Sequence, residues 1–104
     1  MAAGAAEIVY AYGGGRRQLP NGLELEDDYR ETFRIVGEDP LSARVETEMS
    51  VALGRGDWQT RVETESAMWS DSDAFHTTNS VEAYEGPEKV FARTWTFSVP
   101  RDLV

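Results

Sequence analysis

The sequence predicts an all-β domain, an antiparallel meander of five to six long strands in a strongly curled sheet of half-barrel or sandwich and jelly-roll-like form. Apolar and polar residues alternate with period two over about a dozen residues in consecutive segments, as in strands that bury one face. Glycine, proline and aspartate cluster between these segments and predict turns. No segment combines a helical repeat with capping residues.

Residues 1–28 are predicted to form a loosely ordered lead-in, and residues 29–104 the antiparallel β domain. One candidate strand, residues 8–12, lies in the lead-in. Gly13–Gly15 is expected to break any regular element, because glycine loses the most backbone entropy on ordering. The Pro20-Asn21-Gly22 segment predicts a turn before the strands begin.

From Tyr29 the alternation is sustained through five strands, whose apolar positions are expected to share one buried face. Burial of one such side chain contributes about 1.5–3 kcal/mol, so a polar residue at Val62 is expected to unfold the domain. The predicted core comprises Val45, Met49, Val51, Trp58, Val62, Phe75, Val81, Trp95 and Phe97.

The turns predict the register of two hairpins. Across the Gly54–Asp57 loop, Leu53 is expected to lie opposite Trp58. A two-residue turn after Ser70 is expected to place Met68 opposite Phe75. Both registers keep one apolar face continuous, because side chains alternate strictly along a strand. The two remaining hairpins that join the main strands need an odd-length loop or a bulge to do the same.

Charge and composition exclude several function classes. The 104 residues include 19 acidic and 10 basic residues, which gives a net charge of −9 and disfavours nucleic acid and anionic membranes as partners. The absence of cysteine excludes disulfides, thiolate nucleophiles and thiolate metal sites. No apolar run approaches the roughly 20 residues of a spanning helix, and no signal-peptide pattern follows Met1, so a cytoplasmic domain is expected.

Sequence motifs for catalysis are few. There is no Gly-x-Ser-x-Gly motif, and His76, the single histidine, is expected on the outer face near Trp69. An ordinary surface histidine is therefore favoured over a general base, and a zinc site would lack its usual ligands. The sequence predicts no catalytic residue, no cofactor and no metal site.

Four glutamates are expected to face one another across two strands, Glu46 opposite Glu65 and Glu48 opposite Glu63. Like charges in such pairs destabilise a sheet. Neutralisation by arginines of the same face is favoured over a bound divalent cation, because the strands provide no preformed cage. The candidate arginines are Arg30, Arg34, Arg44 and Arg61.

Several polar residues fall in the middle of the face predicted to be buried. Buried hydroxyl and amide groups need hydrogen-bond partners, so these residues either pair across strands or line a wet pocket. The candidate ligand-binding residues are Thr60, Thr64, Thr77 and Asn79, and Trp69 on the outer face is a candidate interface residue.

Four short blocks carry a family resemblance: Asp39-Pro40-Leu41-Ser42-Ala43, Gly54-Arg55-Gly56-Asp57-Trp58, Ala83-Tyr84-Glu85-Gly86 and Val99-Pro100-Arg101-Asp102. In order and spacing, residues 39–104 resemble the C-terminal end of CocE/NonD-type hydrolases, relatives of cocaine esterase and of X-Pro dipeptidyl-peptidases. In that family an α/β-hydrolase domain carries the catalytic serine, aspartate and histidine, and a β-rich, jelly-roll-like region packs beside it. Since only the β-rich end is matched, no catalytic residue is carried over.

The resemblance implies a non-catalytic accessory domain that packs on or covers the catalytic domain of the same natural chain, within a serine hydrolase of esterase or X-Pro dipeptidyl-peptidase type. The alternative left open by the polar residues is a calycin-like domain that binds a small molecule and has no enzymatic activity. We further expect the isolated chain to form a homodimer, with Trp69 at or near the contact.

Overall fold

The computed structural model describes residues 5–101, which form six antiparallel strands arranged as a meander in the order β1 to β6. The strands are β1 (Ala5–Gln18), β2 (Glu24–Val36), β3 (Asp39–Arg55), β4 (Trp58–Ser70), β5 (Ala74–Glu85) and β6 (Glu88–Pro100). The all-β antiparallel meander is thus confirmed. The described residues contain no helix, and hence none that could cross a membrane.

The sheet is a single open layer. Among the described residues each strand contacts only its neighbours in sequence, so β1 and β6 form two free edges. The domain measures 52 × 30 × 23 Å along its principal axes.

Alternation along the strands gives the sheet two chemically different faces. The first, which we call the apolar face, carries ionisable residues in the three strands β3–β5 only at the strand ends, as at Arg55 opposite Trp58 and Glu85 opposite Thr60. The opposite, polar face carries most of the charges. Away from the strand ends, the residues of the apolar face in β3–β5 are Val45, Thr47, Met49, Val51, Leu53, Thr60, Val62, Thr64, Ser66, Met68, Phe75, Thr77, Asn79, Val81 and Ala83.

No second layer covers the apolar face within residues 5–101, and no hydrophobic side chain there is buried. The prediction of a core internal to this chain is therefore wrong. Met49, Trp58, Val62, Phe75 and Phe97 are exposed, and Val62 retains 41% of its accessible surface. A polar residue at Val62 consequently loses little burial in the isolated sheet.

The glycines of the predicted lead-in do not break the chain. β1 continues through them with a register shift between Gly13 and Gly15, and Gly15 adopts a positive φ of 66°. The extra residue is accommodated as a β-bulge, a use of glycine that the prediction did not consider. The division expected between residues 28 and 29 falls inside β2.

Two hairpin registers differ by two residues from those predicted. Leu53 lies opposite Thr60 rather than Trp58, and Met68 lies opposite Thr77 rather than Phe75. The β3–β4 turn has only two central residues, with a positive φ of 59° at Gly56, the position at which a type II′ hairpin requires glycine. Because the shift is even, every side chain stays on its predicted face.

The other two predicted hairpins use bulges. Register shifts occur between Arg34 and Val36 in the β2–β3 pair, and at Ala83 and Tyr84 in the β5–β6 pair. These offsets place Phe33 opposite Val45 and Phe91 opposite Ala83. The predicted odd offset in both hairpins is thus confirmed.

Candidate functional sites

A hollow on the apolar face brings together two of the four candidate ligand-binding residues. Thr77 and Asn79 line a cavity of about 280 Å³ on strands β3–β5. Thr60 and Thr64 lie on the same face but outside this hollow. The remaining lining residues are Val45, Thr47, Ser66, Ala67 and Met68.

Two hydrogen bonds satisfy polar groups of this face. The Ser66 hydroxyl donates to Asn79 Oδ1 across strands at 2.8 Å, and the Thr60 hydroxyl donates to the Leu53 carbonyl at 2.8 Å. Cross-strand pairing therefore accounts for these side chains, which is the first of the two alternatives given by the sequence.

A larger groove of about 570 Å³ crosses strands β1–β4 and is lined by Asp28, Arg30, Glu48, Glu63 and Glu65 among others. Glu48 lies opposite Glu65, so a like-charge pair exists, although not in the predicted register. Within residues 5–101 no group of three or more metal-binding side chains is arranged to hold an ion.

Arginines neutralise part of the acidic surface, as predicted. Arg34 forms ion pairs with Glu7 and Glu46, and Arg61 lies 3.0 Å from Glu63. Exposed pairs of this kind contribute little to stability because solvent and salt screen them, so their role is to offset repulsion rather than to hold the sheet together.

At one end of the polar face, four cross-strand neighbours form a row: Arg44, Trp69, His76 and Ser98. The Trp69 and His76 rings stack with centroids 5.6 Å apart, and the Arg44 guanidinium lies 4.8 Å from the Trp69 ring centre. Trp69, the candidate interface residue, is therefore half-buried between two side chains of its own sheet.

His76 is the centre of a hydrogen-bond chain. Its Nδ1 lies 2.8 Å from Ser98 Oγ, and its Nε2 lies 2.8 Å from Asp71 Oδ2. The other Asp71 oxygen accepts hydrogen bonds from the backbone N–H groups of Asp73 and Ala74, both at 2.8 Å. The His76 hydrogen bond, followed by these two backbone bonds, lowers the pKa of Asp71 to about 2.

The predicted register, with Met68 opposite Phe75, places His76 opposite Ala67 and does not connect it with Asp71. The cause is the register of the β4–β5 hairpin. The Asp71 side chain closes a four-residue loop that ends at Ala74, which moves His76 directly opposite Trp69. Aspartate side chains often close a turn by accepting hydrogen bonds from backbone N–H groups two or three residues further along the chain. Asp71, which precedes Asp73 and Ala74 by these intervals, is therefore the sequence signal that could have revealed this loop.

The depressed pKa of Asp71 predicts a loss of stability in acid. Its folded pKa of about 2 lies below the reference value of 3.8, so its contribution is complete above pH 4 and is lost as the pH falls through 2. Asp71→Asn keeps an oxygen for the turn N–H groups but cannot titrate. In urea unfolding at pH 5 and pH 2, the wild type should lose more stability than Asp71→Asn; equal losses would contradict the assignment.

Comparison of the chain with protein-family models, with curated proteins and with solved structures gives no match in any of the three.

Proposed function

We propose that this chain is a non-catalytic accessory domain of a CocE/NonD-like α/β-hydrolase, and that its apolar face packs on or covers the catalytic domain of the same natural chain. The observation that supports the proposal is the uncovered apolar face. A sheet with one apolar face needs a second layer against it, and residues 5–101 supply none.

The size of the face fits a protein partner. Strands of 12 to 17 residues in a sheet of six give a face of about 1,000 Å², from spacings of about 3.3 Å along and 4.8 Å between strands. Covering it would bury about 2,000 Å² counting both partners, the range of permanent interfaces. In this proposal the sheet curls around its partner. The strong curvature predicted from the sequence would then arise from this contact.

The charge distribution also supports this orientation. Since the ionisable groups that β3–β5 present on the apolar face lie at the strand ends, a partner docked over the middle of these strands desolvates no charge there. The exposed side chains of the face include large apolar ones at both ends of the sheet. Among them are Ile8, Tyr10, Tyr12, Met49, Val62, Met68, Phe75, Phe91, Phe97 and Val99.

The resemblance adds the identity of the partner. Its described blocks lie at strand ends and turns, and Asp102 of the last block lies outside the described residues. Ala83 and Val99 of these blocks contribute to the apolar face, and the glycine, proline and aspartate residues of the blocks constrain the backbone where strands end.

The test is to obtain the natural polypeptide and ask whether a segment with a Gly-x-Ser-x-Gly motif accompanies this chain. That segment, purified alone, should bind the 104-residue chain and be stabilised by it in thermal unfolding. Met49→Asp on the apolar face should weaken the complex at least tenfold, whereas Ser50→Asp, its neighbour on the polar face, should not.

Two results would overturn the proposal. One is a natural polypeptide with no hydrolase segment. The other is rapid turnover of nitrophenyl esters or X-Pro peptides by the 104-residue chain itself, abolished by His76→Ala.

The alternative function is small-molecule binding, favoured by the hollow that Thr77 and Asn79 share. Its volume of about 280 Å³ lies just below the range of ligand pockets, which is about 300–1,000 Å³. A thermal-shift screen with apolar and amide-containing compounds distinguishes the two functions. A hit that Asn79→Ala abolishes would support binding at this hollow.

A further inference from the structure

The polar face carries a chain of three side chains that the proposed function does not use. Ser98, His76 and Asp71 lie in that order, with the imidazole hydrogen-bonded to a hydroxyl on one side and a carboxylate on the other, both at 2.8 Å. A hydroxyl, an imidazole and a carboxylate connected in this order activate serines for nucleophilic attack on unrelated folds.

The hydrogen-bond partners determine which ring nitrogen carries the proton. The Asp71 carboxylate, with a pKa of about 2, is ionised near neutral pH and can only accept hydrogen bonds. Nε2 of His76 must therefore carry the proton, which leaves Nδ1 of the neutral ring bare. A bare Nδ1 accepts the hydrogen bond from the Ser98 hydroxyl, so it is placed to receive that proton.

The ring is held in place, whereas the hydroxyl is accessible. Trp69 stacks against His76, and Asp71 is anchored by two backbone N–H groups of its turn. Ser98 lies exposed on the edge strand β6, where a reagent in solution can approach it.

The backbone at Ser98 contributes one hydrogen-bond donor. The N–H of Arg101 donates to the Asp73 carbonyl at 2.9 Å. Because N–H groups alternate in direction along an antiparallel strand, the N–H of Ser98 then points to the open edge of the sheet. It can stabilise negative charge that develops on a carbonyl oxygen beside Ser98.

We propose that Ser98 is a nucleophilic serine that accepts acyl groups from activated aryl esters, with His76 as its general base and Asp71 as the residue that positions His76. Ser98 Oγ bonds to the carbonyl carbon of the ester, and its proton passes to His76 Nδ1. The bond between that carbon and the aryl oxygen breaks, and the phenol leaves with the proton. The products are an acyl ester on Ser98 and a free phenol.

The expected reaction is a single acylation rather than rapid turnover. The site has one backbone donor, and Ser98 lines neither of the two cavities described above, so attack of water on the acyl-serine receives little assistance. A slow, stoichiometric reaction of this kind is compatible with a non-catalytic accessory domain. The reaction does not depend on the docking proposed above, so each proposal can be tested without the other.

The test uses the whole 104-residue chain and 4-nitrophenyl acetate, with intact mass and peptide mapping as the measurements. We expect one acetyl group on Ser98, labile to hydroxylamine as an ester. Ser98→Ala should abolish it, and His76→Gln should slow it by about a hundredfold, the typical contribution of a general base. Ser80→Ala is the matched control, because its hydroxyl lies on the same face, 3.2 Å from Thr94 Oγ1.

The positioning role of Asp71 has its own spectroscopic measurement. His76 is the only histidine, so its ¹⁵N imidazole signals are assigned without ambiguity. The wild type should show the tautomer protonated at Nε2. Asp71→Asn can turn its amide N–H toward Nε2, which shifts the proton to Nδ1 and slows acetylation of Ser98.

Other outcomes contradict the proposal. Acetyl groups found only on Lys89 or the amino terminus, as amides stable to hydroxylamine, would overturn it. So would equal labelling of the wild type and Ser98→Ala, provided that both have the same far-UV circular dichroism.

Discussion

The isolated chain is expected to sediment as a homodimer in which two apolar faces pack against each other. All hydrophobic side chains within residues 5–101 are at least partly exposed. In a pure sample, a second copy of the chain is the layer that can cover the apolar face. A two-fold axis brings the same face of each copy into contact. The net charge of −9 opposes this weakly, since the charges lie mainly on the other face and salt screens them over about 8 Å.

Val62→Asp should convert the dimer to an 11.6 kDa monomer in sedimentation equilibrium, because it places a charge in the centre of the contact. Val9→Asp is the matched control. Val9 is also a strand valine, 46% exposed against 41% for Val62, but it lies on the polar face. If both variants remain dimeric, the apolar face is not the contact.

Trp69→Ala tests the contact expected from the sequence. Since Trp69 is half-buried between Arg44 and His76, the geometry favours the apolar face, and Trp69→Ala should leave the dimer intact. A monomeric Trp69→Ala would place the contact on the polar face instead.

Gly13→Ala should detach the first half of β1 from the sheet. A Cβ atom at Gly13 would lie 2.7 Å from the backbone carbonyl oxygen of Asp27, which cannot move without disrupting the β1–β2 ladder. The cost is of the order of 1–3 kcal/mol, the range of local backbone strain. In hydrogen exchange, the amides of residues 5–12 should lose protection while those of β4 and β5 keep theirs.

Gly14→Ala provides the control for this prediction. The three atoms nearest to its Cβ would all belong to the guanidinium of Arg17, the far end of a flexible side chain. Protection of β1 should therefore survive in Gly14→Ala. Equal loss of protection in both variants would mean that any side chain in this bulge disrupts β1, and that the close approach at Gly13 is not the specific cause.

Period-two alternation predicts strands β3–β6, the meander and the face on which the side chains of these strands lie, whereas β1 and β2 extend further than expected. A register error of two residues, as at Leu53, leaves every such assignment unchanged. The same error decides which residues touch, and in the prediction it separated His76 from Trp69 and Asp71. Contacts across strands depend on loop length. Loop length depends here on the positive φ of Gly56 in the β3–β4 turn and on the side chain of Asp71 in the β4–β5 loop.

Whether the apolar residues are buried is not encoded in their periodicity. Alternation specifies that one face is apolar, but burial of Val62 or Phe97 requires a second layer, and the described residues do not provide it. Likewise, Gly13–Gly15 is compatible with either a break or a bulge, and the partner strand β2 selects the bulge.

In the part of this meander that the structure describes, the interactions that stabilise a strand come only from the strand itself and from its neighbours in sequence. Because each strand contacts only its neighbours in sequence within residues 5–101, the stability of the sheet is approximately a sum of strand terms and nearest-neighbour terms, as in repeat proteins. Every pairing closes a short loop, so each hairpin can form without waiting for a distant segment. Opening then begins at β1 or β6, the strands with one neighbour, and proceeds inward, while β3 and β4 open last.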